Sequence, residues 1–274
     1  MTADAVTCRE GAAPLIVSLP HTGTRIPSDI EAGLLDGWQA RCDSDWHVEK
    51  LYDFALTLGA TIVRTEISRT VIDVNRDPSG ASLYPGMTTT GLCPQETFEG
   101  VPLYAGALSA AEIARRRAEF FVPYHAALLR QISRLRQQHP RIVLFDAHAI
   151  RSRLPRLFAG LLPQFNIGTN EGRSCAPELA EAVTRVCAQS SFSYVLNGRF
   201  KGGWITRHYG APQEGVHAIQ MELAFRGYLK EPQGAISPQN WPVAYDEDFA
   251  APLRAHLVDI LNCCVSFARS HEPV

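Results

Sequence analysis

A chain of 274 residues with 46% hydrophobic content is long enough to bury one large core, and a formal net charge of −2 offers no basic field to nucleic acid. No stretch stays apolar long enough to cross a bilayer. The start "MTADAVTCREGAAPLIVSLPHTG" lacks the charged, apolar and small-residue regions of a secretory signal, so a cytoplasmic protein is expected, without nucleic-acid or membrane partners. One globular domain covering residues 1–274 is expected, and its oligomeric state is not legible. Seven cysteines, Cys8, Cys42, Cys93, Cys175, Cys187, Cys263 and Cys264, form no CxxC pair, which points to reduced thiols.

In chain order, "PLIVSLP" (14–20) is a β-branched run closed by proline and reads as a buried strand. "DWHVEKLYDFALTLG" places Val48, Leu51, Tyr52, Ala55 and Leu56 at helical spacing before a glycine, which predicts an amphipathic helix. "ATIVRTEIS" and "TVIDVN" are strand candidates. Residues 77–102 are rich in Gly, Pro, Ser and Thr without periodicity, and a loop of that length is more often functional than idle. "SAAEIARRRAEFFVPYHAALLRQISRLRQQHP" predicts a long helix, opened by a capping box of Ser109 and Glu112 and carrying its arginines on the solvated face. There follow the strand "RIVLFDAHA", the helix "APELAEAVTRVCAQ", the strand "SYVLN", a glycine-rich turn "GRFKGGWITRHYG", the strand "VHAIQMELA" and a C-terminal helix over residues 249–270. Alternating strands and helices predict an α/β fold with a mainly parallel sheet and helices on both faces.

Open sheets of this kind bind ligands beyond the carboxyl ends of their strands. "LIVSLPHTG" delivers His21 there, and "IVLFDAHA" passes from an apolar run onto Asp146 and His148. "VHAIQMELA" carries Glu222 in an apolar context, where a carboxylate needs a partner or a metal. "CDSDWHVEK" gathers Asp43, Asp45, His47 and Glu49 at a helix entrance. Two histidines and a carboxylate in one crevice are the usual ligands of a catalytic zinc, and a further carboxylate can take a proton from water. Each residue also has an ordinary role: His21 as a satisfied loop residue, Asp45 as a helix cap, Glu222 in a salt bridge.

The blocks "LPHTG", "SDWHVEKLYD", "SRTVIDVNRDPSG", "FDAHAIRS", "NGRFKGGWITRHYG" and "VHAIQMELAFRGYL" resemble, in order, the N-formylglutamate amidohydrolase family, the N-formylglutamate deformylases of histidine degradation. The resemblance implies a three-layer αβα fold with a mainly parallel mixed sheet, similar to zinc-dependent exopeptidases. It implies one divalent metal ion, with zinc preferred, held by His21, Asp45 and His148, and Glu222 as general base. Asp43, His47 and Glu49 compete with Asp45, which is preferred because the stripe Val48, Leu51, Tyr52 faces the core and leaves the preceding turn at the crevice. Asp146, two residues before His148 on an extended segment, is the expected partner fixing its tautomer.

The implied substrate, N-formyl-L-glutamate, carries two carboxylates, and each asks for a planar bidentate donor. Arg69, Arg76 and Arg207 lie in the resembling blocks and are the candidate substrate-binding arginines, with Asn75 for the amide or a loop backbone. An ion pair with Asp73 or Asp77 is the alternative for Arg76. The implied reaction is metal-assisted hydrolysis to formate and L-glutamate. A zinc carboxypeptidase, an amidase acting on another N-acyl amino acid, and a non-catalytic binder of acidic amino acids are the alternatives.

Overall fold

The computed structural model describes residues 5–270, so the first four residues of the stretch read for a targeting signal lie outside the described residues. Seven strands form one sheet: β1 (Val6–Arg9), β2 (Leu15–Leu19), β3 (Thr61–Thr65), β4 (Ile142–Ile150), β5 (Phe165–Gly168), β6 (Tyr194–Leu196) and β7 (Val216–Ala224). Seven α-helices accompany them among the described residues: α1 (Ser28–Glu31), α2 (Val48–Leu51), α3 (Ala110–Arg116), α4 (Val122–Arg136), α5 (Pro177–Gln189), α6 (Trp204–Tyr209) and α7 (Glu247–Arg269).

The strand order is β1-β3-β2-β4-β7-β5-β6. The central run β3, β2, β4, β7 is parallel, as is β5 with β6, while β1–β3 and β5–β7 are antiparallel. The mainly parallel sheet expected from the alternating elements is therefore present, and it is mixed, as the family resemblance implies. Two strands are not among the expected elements: the edge strand β1, which alternates half-buried and exposed residues and offers no apolar run, and the four-residue β5, which lies in the segment read as a loop before α5.

Alternation along the strands sorts their side chains onto two faces. Leu15, Val17, Leu19, Val143, Phe145, Ala147, Met221 and Leu223 join α2, α5 and α7 in one core. Ile16, Ile142, Leu144, Val216 and Ala218 pack with α1, α4 and α6 on the other side. Each fully buried aliphatic side chain contributes roughly 1.5–3 kcal/mol. On this second face the same alternating positions turn polar toward the carboxyl ends: Ser18, Asp146, His148, Gln220 and Glu222, all buried. Apolar packing thus holds the amino-terminal half of that face, and the other half is released for chemistry.

Several local expectations are corrected. β4 extends one residue past the expected "RIVLFDAHA", with Asp146 and His148 inside it, because its pairing with β7 continues in register to Ile150. "TVIDVN" is a turn rather than a strand, since Val71 N–H bonds Ser68, Asp73 N–H bonds Leu92, and Asn75 N–H is taken by the Asp73 carboxylate. The helix expected after His47 is only α2 followed by a 3-10 segment, Asp53–Leu58. The long arginine-rich helix is interrupted by a π-helical turn, Arg117–Phe121, just before Pro123, whose missing N–H cannot serve the regular i−4 carbonyl. Arg116 is buried rather than solvated, bonding Glu112, Val71 O and the Tyr104 hydroxyl. Only half of the capping box forms: Ser109 Oγ accepts from Glu112 N–H, but the Glu112 carboxylate is drawn to Arg115 and Arg116. The turn "GRFKGGWITRHYG" contains α6.

Candidate active site

His21 follows β2, Asp45 lies in the turn before α2, and His148 projects from β4. These separate segments bring one ligand atom from each residue within 4.8 Å of the others, and all three residues are buried. His148 Nδ1 lies 3.1 Å from His21 Nδ1 and 3.1 Å from Asp45 Oδ2, and His21 Nδ1 lies 3.7 Å from Asp45 Oδ2. Asp45 is not a helix cap: residue 47 occupies that position with φ 63°, and Asp45 Oδ2 instead accepts from Ala149 N–H on β4. Its neighbours point elsewhere. Asp43 accepts from Phe98 N–H, the His47 ring bonds Val243 O, and Glu49 is outside the cluster.

The far edge of each imidazole is tied to a carboxylate. His21 Nε2–H donates to Asp73 Oδ1 at 2.7 Å, and His148 Nε2 lies 3.1 Å from Asp146 Oδ2. Asn75 Nδ2–H donates to Asp146 Oδ2 at 3.0 Å, and the same nitrogen lies 2.9 Å from His148 Nε2. With Nε2 facing these carboxylates, both rings turn Nδ1 toward Asp45. Two ring nitrogens and a carboxylate oxygen this close, in a buried site, suit a shared positive charge, either a ring proton or a bound cation. The His148 ring shows the same preference: burial opposes charge on it, yet Asp146 and Asp45 hold its pKa well above the usual imidazole value. For Asp45, burial works against ionisation, and the two histidines outweigh it to lower its pKa. Burial likewise opposes ionisation of Asp73, and Arg76, His21 and Arg69 overcome it. The donor set of two imidazoles and a carboxylate, each held by a further partner, fits a divalent ion such as zinc.

Glu222 stands next to this cluster, because β4 and β7 pair with His148 opposite Glu222. Burial pushes its pKa up to about 8, against the pull of the His148 charge. Gln220, on the same face of β7, accepts from Gly203 N–H through Oε1 and donates through Nε2 to Glu222 Oε2 at 3.3 Å. A bound cation would favour the ionised form of Glu222.

These residues open into one cleft, whose wall includes His21, Arg69, His148, Gln220 and Glu222. Of the candidate substrate-binding residues, Arg69, Asn75 and Arg76 line it, and Arg207 does not. Arg207 Nε donates to Gly202 O, and its guanidinium lies over the Tyr84 ring, 4.8 Å from the centroid. Arg69 is committed to carboxylates, at 2.7 Å from Asp73 Oδ2 and 3.4 Å from Asp45 Oδ1. The Asn75 side chain is occupied as well, with Oδ1 accepting from Ile205 N–H while its backbone carbonyl accepts from Trp204 N–H, so it seats α6 against the site. The loop over residues 77–102 supplies Tyr84, Thr88, Thr89, Thr90 and Phe98 to the wall.

Sequence reasoning missed Asp73, Gln220 and Arg199. In the sequence Asp73 stands out only as a partner for Arg76, although a carboxylate inside "TVIDVN" carries the same signal as Glu222. Arg199 stands in "NGRFKGG", overlooked beside Arg207 in the same block. The cysteines are free among the described residues, and burial raises the pKa of each, so none is an activated thiolate.

An α/β sheet with a buried His/Asp/His cluster able to hold a metal ion and a buried glutamate at its carboxyl end has the make-up of a hydrolase site. The sequence profile of the N-formylglutamate amidohydrolase family matches residues 13–229, and the chain belongs to that family. An N-formylglutamate deformylase of Pseudomonas putida is 44% identical over 261 residues, covering 94% of each chain. Another from Pseudomonas aeruginosa is 43% identical over 269 residues, covering 97% of this chain and 98% of its own. The crystal structure of an N-formylglutamate amidohydrolase from Ralstonia eutropha superposes with a TM-score of 0.79 at 26% identity, over 97% of this chain and 98% of that one. A structure from Agrobacterium tumefaciens, at 19% identity and a TM-score of 0.72 over 97% and 96% of the two chains, shares the fold. Among the described residues no helix is long and apolar enough to cross a membrane.

Proposed function

We propose that the chain hydrolyses N-formyl-L-glutamate to formate and L-glutamate, with His21, Asp45 and His148 holding a divalent ion, zinc by preference, and Glu222 as general base. The observation that carries this reading is the convergence of His21 Nδ1, His148 Nδ1 and an Asp45 oxygen in a buried site, with Glu222 in register beside His148. When bound there, such an ion acts as a Lewis acid and brings the acidity of water near neutrality.

The chain's own groups do the rest. Asp73 and Asp146 keep both imidazoles in the tautomer that presents Nδ1 to the ion, and Arg69 holds Asp45 and Asp73 in place. Glu222, oriented by Gln220, accepts the proton of the attacking water and returns it to the leaving nitrogen as the C–N bond breaks, which releases formate and the free amine. Arg76, beside Asn75 on the cleft wall, binds the α-carboxylate next to the reacting nitrogen.

The test is formate release by metal-loaded protein from N-formyl-L-glutamate, with N-acetyl-L-glutamate and a dipeptide as controls, alongside elemental analysis. The expected result is about one metal ion per chain and turnover of the formyl substrate only. Glu222→Gln should keep the metal and lose at least 100-fold in kcat. Absence of formate release from the metal-loaded protein overturns the proposal.

A further inference from the structure

The cleft wall carries three guanidiniums, Arg69, Arg76 and Arg199, and they differ in how their charge is met. Arg69 is neutralised by Asp45 and Asp73. Arg76 faces Asp73 Oδ2 at 3.7 Å. Arg199 has no ion-pair partner among the described residues: Nε donates to Leu157 O at 2.9 Å and Nη2 to Thr88 O at 2.8 Å, both neutral carbonyls. Its guanidinium sits over the rings of Tyr84 and Phe200, 5.6 and 5.3 Å from their centroids. No hydrogen bond among the described residues engages Nη1. A half-buried cation without a counter-charge is costly, and burial lowers its pKa, with Tyr84 opposing and Arg76 adding to the effect. Two backbone carbonyls and two rings fix the plane of this fork while leaving its charge unmet. That arrangement suits a carboxylate arriving from solution.

Position decides which carboxylate. Arg76 adjoins Asn75, which touches His148, and faces Asp73, which pairs with His21, so it lies on the metal-cluster side of the cleft. Arg199 belongs to the loop after β6 and is moored to Thr88 and Leu157 on other loops. The α-carboxylate shares a carbon with the reacting nitrogen, whereas the side-chain carboxylate lies two methylenes further out. We propose that Arg199 is the specificity-determining residue that reads the side-chain carboxylate of the substrate, an inference that rests on the deformylase reading above.

The experiment compares kcat/KM for N-formyl-L-glutamate and its neutral near-isostere N-formyl-L-glutamine, using metal-loaded wild type, Arg199→Gln and Arg199→Lys. Wild type should favour the acid by about 100-fold, chiefly through KM, as expected for a charged hydrogen-bonded pair. Arg199→Gln should lose most of that preference, falling steeply on the acid and little on the amide, and Arg199→Lys should recover part of it. Equal losses on both substrates with an unchanged ratio would mean that Arg199 only anchors Thr88 and Leu157, and would overturn the proposal. A wild type inert toward both substrates would instead remove the deformylase reading, and this inference with it.

Discussion

Asp146 serves four side chains at once: it accepts from Asn75, Ser18 and Thr206 and faces His148 Nε2 at 3.1 Å. The consequence reaches beyond structure, because a carboxylate that can only accept compels His148 to carry its proton on Nε2 and to present Nδ1 to the cluster. Asp146→Asn substitutes an amide that can donate as well as accept, and the ring loses the constraint on its tautomer. We expect metal affinity to fall about 10–100-fold, read by competition with a chelator, with circular dichroism unchanged. An affinity equal to wild type would show that Asp146 does not set the tautomer. Arg69 teaches the same lesson in reverse, since a buried arginine in a substrate cleft need not be a substrate ligand when two carboxylates already occupy it.

At the scale of elements, the site depends on how closely α6 approaches the turn that replaces the expected strand "TVIDVN". Gly203 heads α6, and a Cβ added there would meet the Asn75 side chain at 2.5–2.6 Å. That amide cannot swing aside cheaply, because Asp146 and Ile205 N–H hold both its ends. Gly203→Ala should therefore leave the fold intact and lower kcat by about 10–100-fold through displacement of Asn75 and its neighbours, the scale of loss that a misplacement of about 1 Å brings. Steady-state kinetics with a thermal melt would check this, and unimpaired turnover would show that the contact relaxes harmlessly. His125 on α4 supports the same turn from below, donating from Nε2 to Val74 O at 2.8 Å and accepting at Nδ1 from the Tyr209 hydroxyl at 2.9 Å.

For the whole molecule, that buried His125 ties stability to pH. Burial depresses its pKa to about 4, partly opposed by the bond to Val74 O, from an unfolded value near 6.5. Between those values the unfolded chain binds a proton that the folded chain refuses, so stability falls as pH drops through this window and is fully retained above it. Denaturant midpoints for wild type and His125→Gln, measured from pH 7 to pH 4, should converge as pH falls, since only wild type carries this penalty. A gap between the two that is independent of pH would assign the shift elsewhere. The sheet, in turn, makes one crevice from distant segments: parallel β2, β4 and β7 align their carboxyl ends, so that His21, His148 and Glu222 share one end of the molecule.

The sequence by itself determined the order of the central strands and the longer helices, since hydrophobic periodicity and turn residues act locally. It also marked His21, Asp45, His148, Asp146 and Glu222, because a polar group in an apolar run is conspicuous wherever it folds. It did not reveal that "TVIDVN" is a turn, that a proline-linked π turn divides the arginine-rich helix, or that Arg199 rather than Arg207 faces the cleft. Those outcomes depend on partners remote in the chain: Leu92 for Asp73, Thr88 and Leu157 for Arg199, and Tyr84 and Gly202 for Arg207. Local pattern places a charge near a strand end, but only packing settles whether its counter-charge is already present, and therefore whether it remains free for a ligand.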